Sequence, residues 1–118
     1  MAFRLTLTRA PKLTVAEVSG LAFFEDAPAV LMSIERETRE HGDTRLLLNL
    51  LDVVGTFGPA EHQQLGEMVA RHLSHLEKVA SLVPADKITR ISERAAEARG
   101  MQLRVFTTLI ESVGWLVE

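Results

Sequence analysis

The run RLLLNLLDV, residues 45 to 53, constrains the fold more than any other stretch of the chain. It is almost continuously apolar, yet at about nine residues it is short for a helix, and this is the pattern of a strand covered on both faces. A strand of that kind belongs at the centre of a sheet. Asn49 interrupts the run. A buried amide needs hydrogen-bond partners, so its expected role is a strut within the strand rather than catalysis.

The flanking segments supply the rest of the sheet and its helices. FRLTLT (3–8) and LTVAEVSG (13–20) alternate apolar and polar residues around Ala10-Pro11-Lys12 and read as a hairpin. In residues 26–42, Asp26 as cap, Pro28 in the first turn, an apolar face of Val30, Leu31, Ile34 and Thr38, and Gly42 as stop predict a helix. A second helix is expected over Pro59–His75, with Gly58 as N-cap, Glu61 in the first turn, and Leu65, Val69, Leu73 and Leu76 buried. KVASLVP (78–84) reads as a short buried strand. Asp86 then caps a helix through KITRISERAAEARG to Gly100, with Ile88, Ile91, Ala95 and Ala98 on one face. LRVF (103–106) is the last strand, and Thr107 or Thr108 caps LIESVGWL, which docks through Leu109, Ile110, Val113 and Leu116 or Trp115. The order ββαβαβαβα predicts an α/β fold: a mixed, mostly parallel five-stranded sheet with helices on both faces, because right-handed crossovers through helices are the inexpensive way to set parallel strands side by side.

A chain of 118 residues, 47% hydrophobic and 25% charged, is expected to be one globular domain spanning 1–118. A net charge of −3 gives no positive field for a phosphate backbone, so no nucleic-acid partner is expected. The absence of cysteine excludes disulfides, thiolate metal sites and a cysteine nucleophile, and it suits a reducing compartment. MAFRLTLTRAPKL lacks the apolar core of a signal peptide, and no stretch approaches the roughly 20 apolar residues of a membrane span, so a cytoplasmic location is expected.

The element order, LLLNLLDV leading into a loop and a Gly-Pro-started helix, and the terminal ESVGWL together resemble the STAS superfamily, and most closely its SpoIIAA-like branch of small stand-alone bacterial proteins. The resemblance covers nearly the whole chain and rests on element order and hydrophobic pattern. It implies a first strand antiparallel at the sheet edge, a strand order 1-3-2-4-5, and a regulatory, protein-binding role. Anti-sigma factor antagonists of the superfamily carry a phosphorylatable serine in an Asp-Ser-Ser-Gly-like turn at the start of the helix that follows this strand. The corresponding stretch here, DVVGTFGPAEHQ, has no serine, and Thr56 lies upstream of the expected cap. The SpoIIAA-like branch is also similar to the CRAL-TRIO lipid-transfer fold, which implies an alternative role as carrier or sensor of a small apolar or amphipathic ligand.

In open α/β sheets, ligands favour the crevice beyond the carboxyl ends of the strands where successive connections diverge. GLAFFED, DVVGTFGP and PAD are the three loops expected there, and they hold Phe23, Phe24 and Phe57, three of the five phenylalanines. These rings either fold back over the end of the sheet or form an apolar mouth. The expected partner- or ligand-binding set is Phe23, Phe24, Asp52, Thr56, Phe57, Gly58 and His62. Competing readings are weaker. The free N–H groups near Glu61 and His62 suggest an anion site, but Glu61 already complements the helix dipole. Asp26, Asp52 and Asp86 could in principle approach one crevice, but Asp26 and Asp86 read as caps, and nothing in the sequence sets the separation or the acid or base partner a catalytic pair needs. His72 and His75 share a helical face but lack a third ligand, so they read as partly exposed histidines and no metal is expected. Lys87, Arg90, Arg94 and Arg99 form a basic stripe offset by Glu93 and Glu97. It reads as a solvated face, with peripheral contact to anionic lipid as the lesser alternative. No nucleophile, base and orienter arrangement or phosphate-cradling glycine motif appears, so no cofactor and no enzymatic activity are expected. A protein partner or small apolar ligand remains, and a homodimer is compatible with so small a domain.

Overall fold

β1 (Phe3–Arg9) and β2 (Thr14–Leu21) form the expected antiparallel hairpin, in register from Phe3 opposite Gly20 to Arg9 opposite Thr14. The computed structural model describes residues 3–21, apart from the side chain of Leu21, and 24–118. Beyond the hairpin come α1 (Ala27–His41), β3 (Arg45–Val54), α2 (Pro59–Leu73), β4 (Lys78–Leu82), α3 (Ile91–Glu97), β5 (Leu103–Phe106) and α4 (Leu109–Leu116). β2, β3, β4 and β5 pair in parallel, and β1 lies antiparallel at one edge.

The strand order is 1-2-3-4-5 and not 1-3-2-4-5. Each crossover therefore steps one strand further in the same direction, and a run of right-handed crossovers in one direction places every connecting helix on the same face. That face holds α1, α2 and α3. Ala16, Val18, Leu46, Leu48, Val79 and Leu103 of the sheet pack there against Leu31, Ile34, Val69, Leu73 and Ala96 of the helices. On the other face Leu47, Ala80 and Leu82 meet Leu116, with Val113, Trp115 and Phe106 around them. β3 thus supplies adjacent residues to two cores, and this accounts for its uninterrupted apolar run.

Several local expectations hold at the atomic level. Gly42 ends α1 at φ 68°, and the Asp43 N–H reaches back to the Thr38 carbonyl. Thr108 caps α4 by accepting from the Glu111 N–H and donating to its carboxylate. At the far end of α4, Arg45 donates to the carbonyls of Leu116 and Glu118, and Lys78 to that of Trp115, so two cations satisfy the helix's last acceptors. The Lys78 side chain and that of Arg104 frame the Trp115 ring.

Two capping expectations fail. Asp26 occupies the N-cap of α1 without a side-chain cap hydrogen bond, at the end of a 3-10 turn, Phe24–Asp26. Asp86 lies inside a second 3-10 turn, Ala85–Lys87, and α3 begins only at Ile91, where Thr89 Oγ1 accepts from the Ile91 N–H. The extended backbone of Ile88 breaks the apolar periodicity, leaving its side chain 40% exposed.

Candidate functional site

β3 outruns its neighbour β4, which pairs only with Arg45–Asn49. Past that point β3 leans on β2 alone and carries a bulge, since Glu17 faces Asn49 but Ser19 faces Asp52. Asn49 Oδ1 accepts the Leu51 N–H at 3.1 Å, so the strut expected from the sequence steadies the bulge. The projecting end exposes Leu51, Asp52 and Val54.

Gly55, at φ 123°, turns the chain back in a conformation open to glycine. Gly58 is the extended N-cap of α2 with Pro59 behind it, and Glu61 Oε1 accepts the Gly58 N–H at 2.9 Å. Only that half of a capping box can form, because glycine has no side chain to return the bond. The carboxylate occupies the position an anion would take, so the capped-turn reading of the helix start holds. Between these glycines, Phe57 sets its ring edge-on to Phe24 at 5.9 Å between centroids and to His62 at 6.1 Å. Burial holds the His62 imidazole below its ordinary pKa, against an opposing pull from Glu61.

Lys87 fixes this loop from across the sheet end, its Nζ donating to the carbonyls of Gly55 at 2.8 Å and Val53 at 3.4 Å. Sequence reading assigned Lys87 to a basic stripe. Its position in the loop after β4, at the same rim as the 52–59 loop, was the available signal. Arg90 likewise turns inward to Glu93 and the Val105 carbonyl, and Arg99 lies 3.8 Å from Glu67. The expected stripe is therefore largely consumed within the fold.

Of the expected set, Phe24, Phe57 and His62 come together. Thr56 and Gly58 are exposed on the same loop, Asp52 is exposed on the projecting strand, and Phe23 falls outside the described residues. The crevice itself differs from expectation. With all three crossovers on one side the strand order never reverses, so no switch-point cleft exists. A cavity of about 170 Å³ lies instead between the sheet and its helices, walled by Val18, Leu48, Leu31, Val69 and Val105, with Phe57 and His62 on its border. Asp26 lines it while Asp52 and Asp86 do not, so the three carboxylates form no joint site.

His72 and His75 tie α2 to α1. His72 Nδ1 donates to Glu35 Oε1 at 2.9 Å, and with Arg39 it holds the Glu35 carboxyl below its ordinary value against a smaller effect of burial. Thr38 Oγ1 gives its proton to the Ile34 carbonyl at 2.7 Å, so His75 Nε2, also 2.7 Å away, must be the donor to that oxygen. His75 Nδ1 is then a bare, buried acceptor with no partner among the described residues. Thr38 is fully buried with its proton committed, and it is no nucleophile despite the adjacent imidazole. Burial first, and the Arg39 charge second, depress the His75 pKa. The folded state therefore takes up this proton at lower pH than the unfolded chain, and stability present above about pH 6.5 is lost as pH falls through the lowered value. The urea midpoint should drop between pH 7.5 and 5.5, and His75→Gln, which keeps a donor but does not titrate, should reduce that drop. Equal drops in the two proteins would refute this assignment.

No family model matches the chain in sequence, and no curated protein does either. Its fold does have solved counterparts. An anti-sigma factor antagonist from Mycobacterium paratuberculosis superposes with a TM-score of 0.67 at 16% identity, covering 98% of this chain and 95% of that one. An uncharacterised protein of the DUF3478 family with a SpoIIAA-like fold, from Shewanella loihica, gives a TM-score of 0.53 at 15% identity, covering 98% and 93%. The chain thus shares the SpoIIAA-like fold of these structures. Among the described residues no helix is long and apolar enough to cross a membrane.

Proposed function

We propose that the chain is a small non-enzymatic regulatory module that binds a protein partner through the 52–62 loop and the start of α2. The observation that carries this reading is the ridge from Val53 to Ala60. It contains no charged residue, exposes Val54, Thr56, Gly58, Pro59 and Ala60, and has its backbone pinned by Lys87. An apolar ridge already held in one conformation loses little entropy on association, which favours binding. The likeness to a protein described as an anti-sigma factor antagonist supports the same class of role. Without a serine in this turn, the switch by serine phosphorylation that the resemblance implies has no acceptor here, and the contact surface works without it.

A second reading, a carrier or sensor of a small apolar molecule, is favoured by the cavity behind Phe57. At about 170 Å³ it falls below the roughly 300–1,000 Å³ of ordinary ligand sites, so it suits a ring-sized molecule and not a lipid chain.

Site-specific photo-cross-linking tests the partner reading. A photoreactive residue at Ala60, on the ridge, should give a discrete protein adduct in an extract of the native host. The same residue at exposed Thr6 on β1 should not. Identical adducts from both positions, or none from Ala60, would overturn the proposal.

A further inference from the structure

Of the polar residues that line the cavity, Asp26, Thr56, His62, Ser81, Lys87, Thr89 and Ser92, only Ser81 is buried and lies in the sheet. It lies on β4 in register with Leu48 on one side and Val105 on the other, both of which line the same cavity. The residue is only 8% exposed, and its hydroxyl makes no hydrogen bond to a described residue but is not fully buried either, so it is reachable from the cavity. A hydroxyl reachable from a mainly apolar cavity offers a hydrogen bond to a molecule that enters it. An apolar cavity of about 150 Å³ is known to admit benzene.

The geometry points to this cavity as a binding site for an uncharged, mainly apolar molecule of about one aromatic ring, carrying a single hydroxyl or carbonyl that pairs with Ser81. Leu48, Val69 and Val105 contact the ring, and Ser81 fixes its orientation. Phe57 belongs both to the cavity border and to the outer ridge, so occupancy is transmitted to the loop at Thr56–Gly58. The ligand site deepens the second reading above and stands whether or not the ridge binds a protein.

The test uses the whole chain alone, which separates its failure from that of the partner reading. Phenol and toluene are titrated separately and followed by amide and methyl chemical shifts. Phenol should give saturable shifts centred on Leu48, Val69 and Val105 and extending to Phe57, and it should bind more tightly than toluene. Ser81→Ala, which removes only the hydroxyl, should weaken phenol about 5- to 10-fold, the effect of one net hydrogen bond, and leave toluene unchanged. Ser81→Leu, which fills the cavity from its floor, should abolish binding of both and raise the melting temperature. Absence of saturable shifts with either compound, shifts scattered over the surface, or equal loss of phenol and toluene binding in Ser81→Ala would overturn the assignment.

Discussion

Gly66→Ala is expected to destabilise the protein by about 2–3 kcal/mol, although it replaces a poor helix former with the best one. Gly66 lies inside α2 where that helix crosses α3, and an added Cβ would clash with the Ser92 carbonyl oxygen and come within 2.8 Å of the Ala95 Cβ. The first of these is backbone and cannot swing aside, so the helices must separate. The propensity gain of about 1 kcal/mol is smaller than the overpacking cost and does not rescue the variant. Gly114→Ala in α4 is the matched control: nothing lies within 4 Å of its added Cβ, and the same substitution should stabilise by up to about 1 kcal/mol. Urea unfolding of the two variants checks the sign of each. A neutral or stabilising Gly66→Ala would mean that α2 and α3 do not approach this closely. The consequence reaches the cavity, because Ser92 also lines it.

Phe57→Asp is expected to weaken partner binding by about 2 kcal/mol or more, roughly 30-fold, the scale of an aromatic hot spot. It places a carboxylate in the middle of a charge-free ridge and removes the ring that bridges Phe24 and His62. Since Phe57 is half-buried, part of the effect would pass through stability. Ala60→Asp separates the two. Ala60 is exposed in the first turn of α2, where a negative charge favours the helix dipole, so this variant should fold at least as well and still lose binding. Affinity for the partner identified by cross-linking at Ala60, measured with both variants, decides the matter. Retained affinity in Ala60→Asp would remove the ridge from the interface.

Much of this architecture could be read from residue patterns. β3 was legible because its residues enter two cores in turn, Leu46 and Leu48 on one face and Leu47 on the other. Gly42, Gly58-Pro59 and Thr108 marked helix ends because capping is local chemistry. Strand order was not legible, since hydrophobic periodicity says which face a strand buries but not which edge the next strand joins. The expected crevice failed with it. The start of α3 was obscured because Asp86 makes as good a local cap as any, and only the clamp from Lys87 to Gly55 shows why the chain turns there instead. His72 and His75 looked like surface residues because their partners, Glu35 and Thr38, lie 37 positions away. Phe24, Phe57 and His62 were found because aromatic residues in loops are conspicuous. Ser81 was missed because a single serine in a buried strand gives no signal until a cavity opens beside it.

The central claim is that the loops after β2 and β3 share one rim, over the helix-covered face of the sheet. Through-space proton contacts in solution test it most directly. Cross-peaks are expected between the Phe24 and Phe57 rings and between Phe57 and His62, with Leu48 methyls contacting Leu31 or Val69 while Leu47 methyls contact Leu116. A Phe57 ring without contacts to Phe24, or Leu47 and Leu48 methyls sharing the same helical neighbours, would contradict the account.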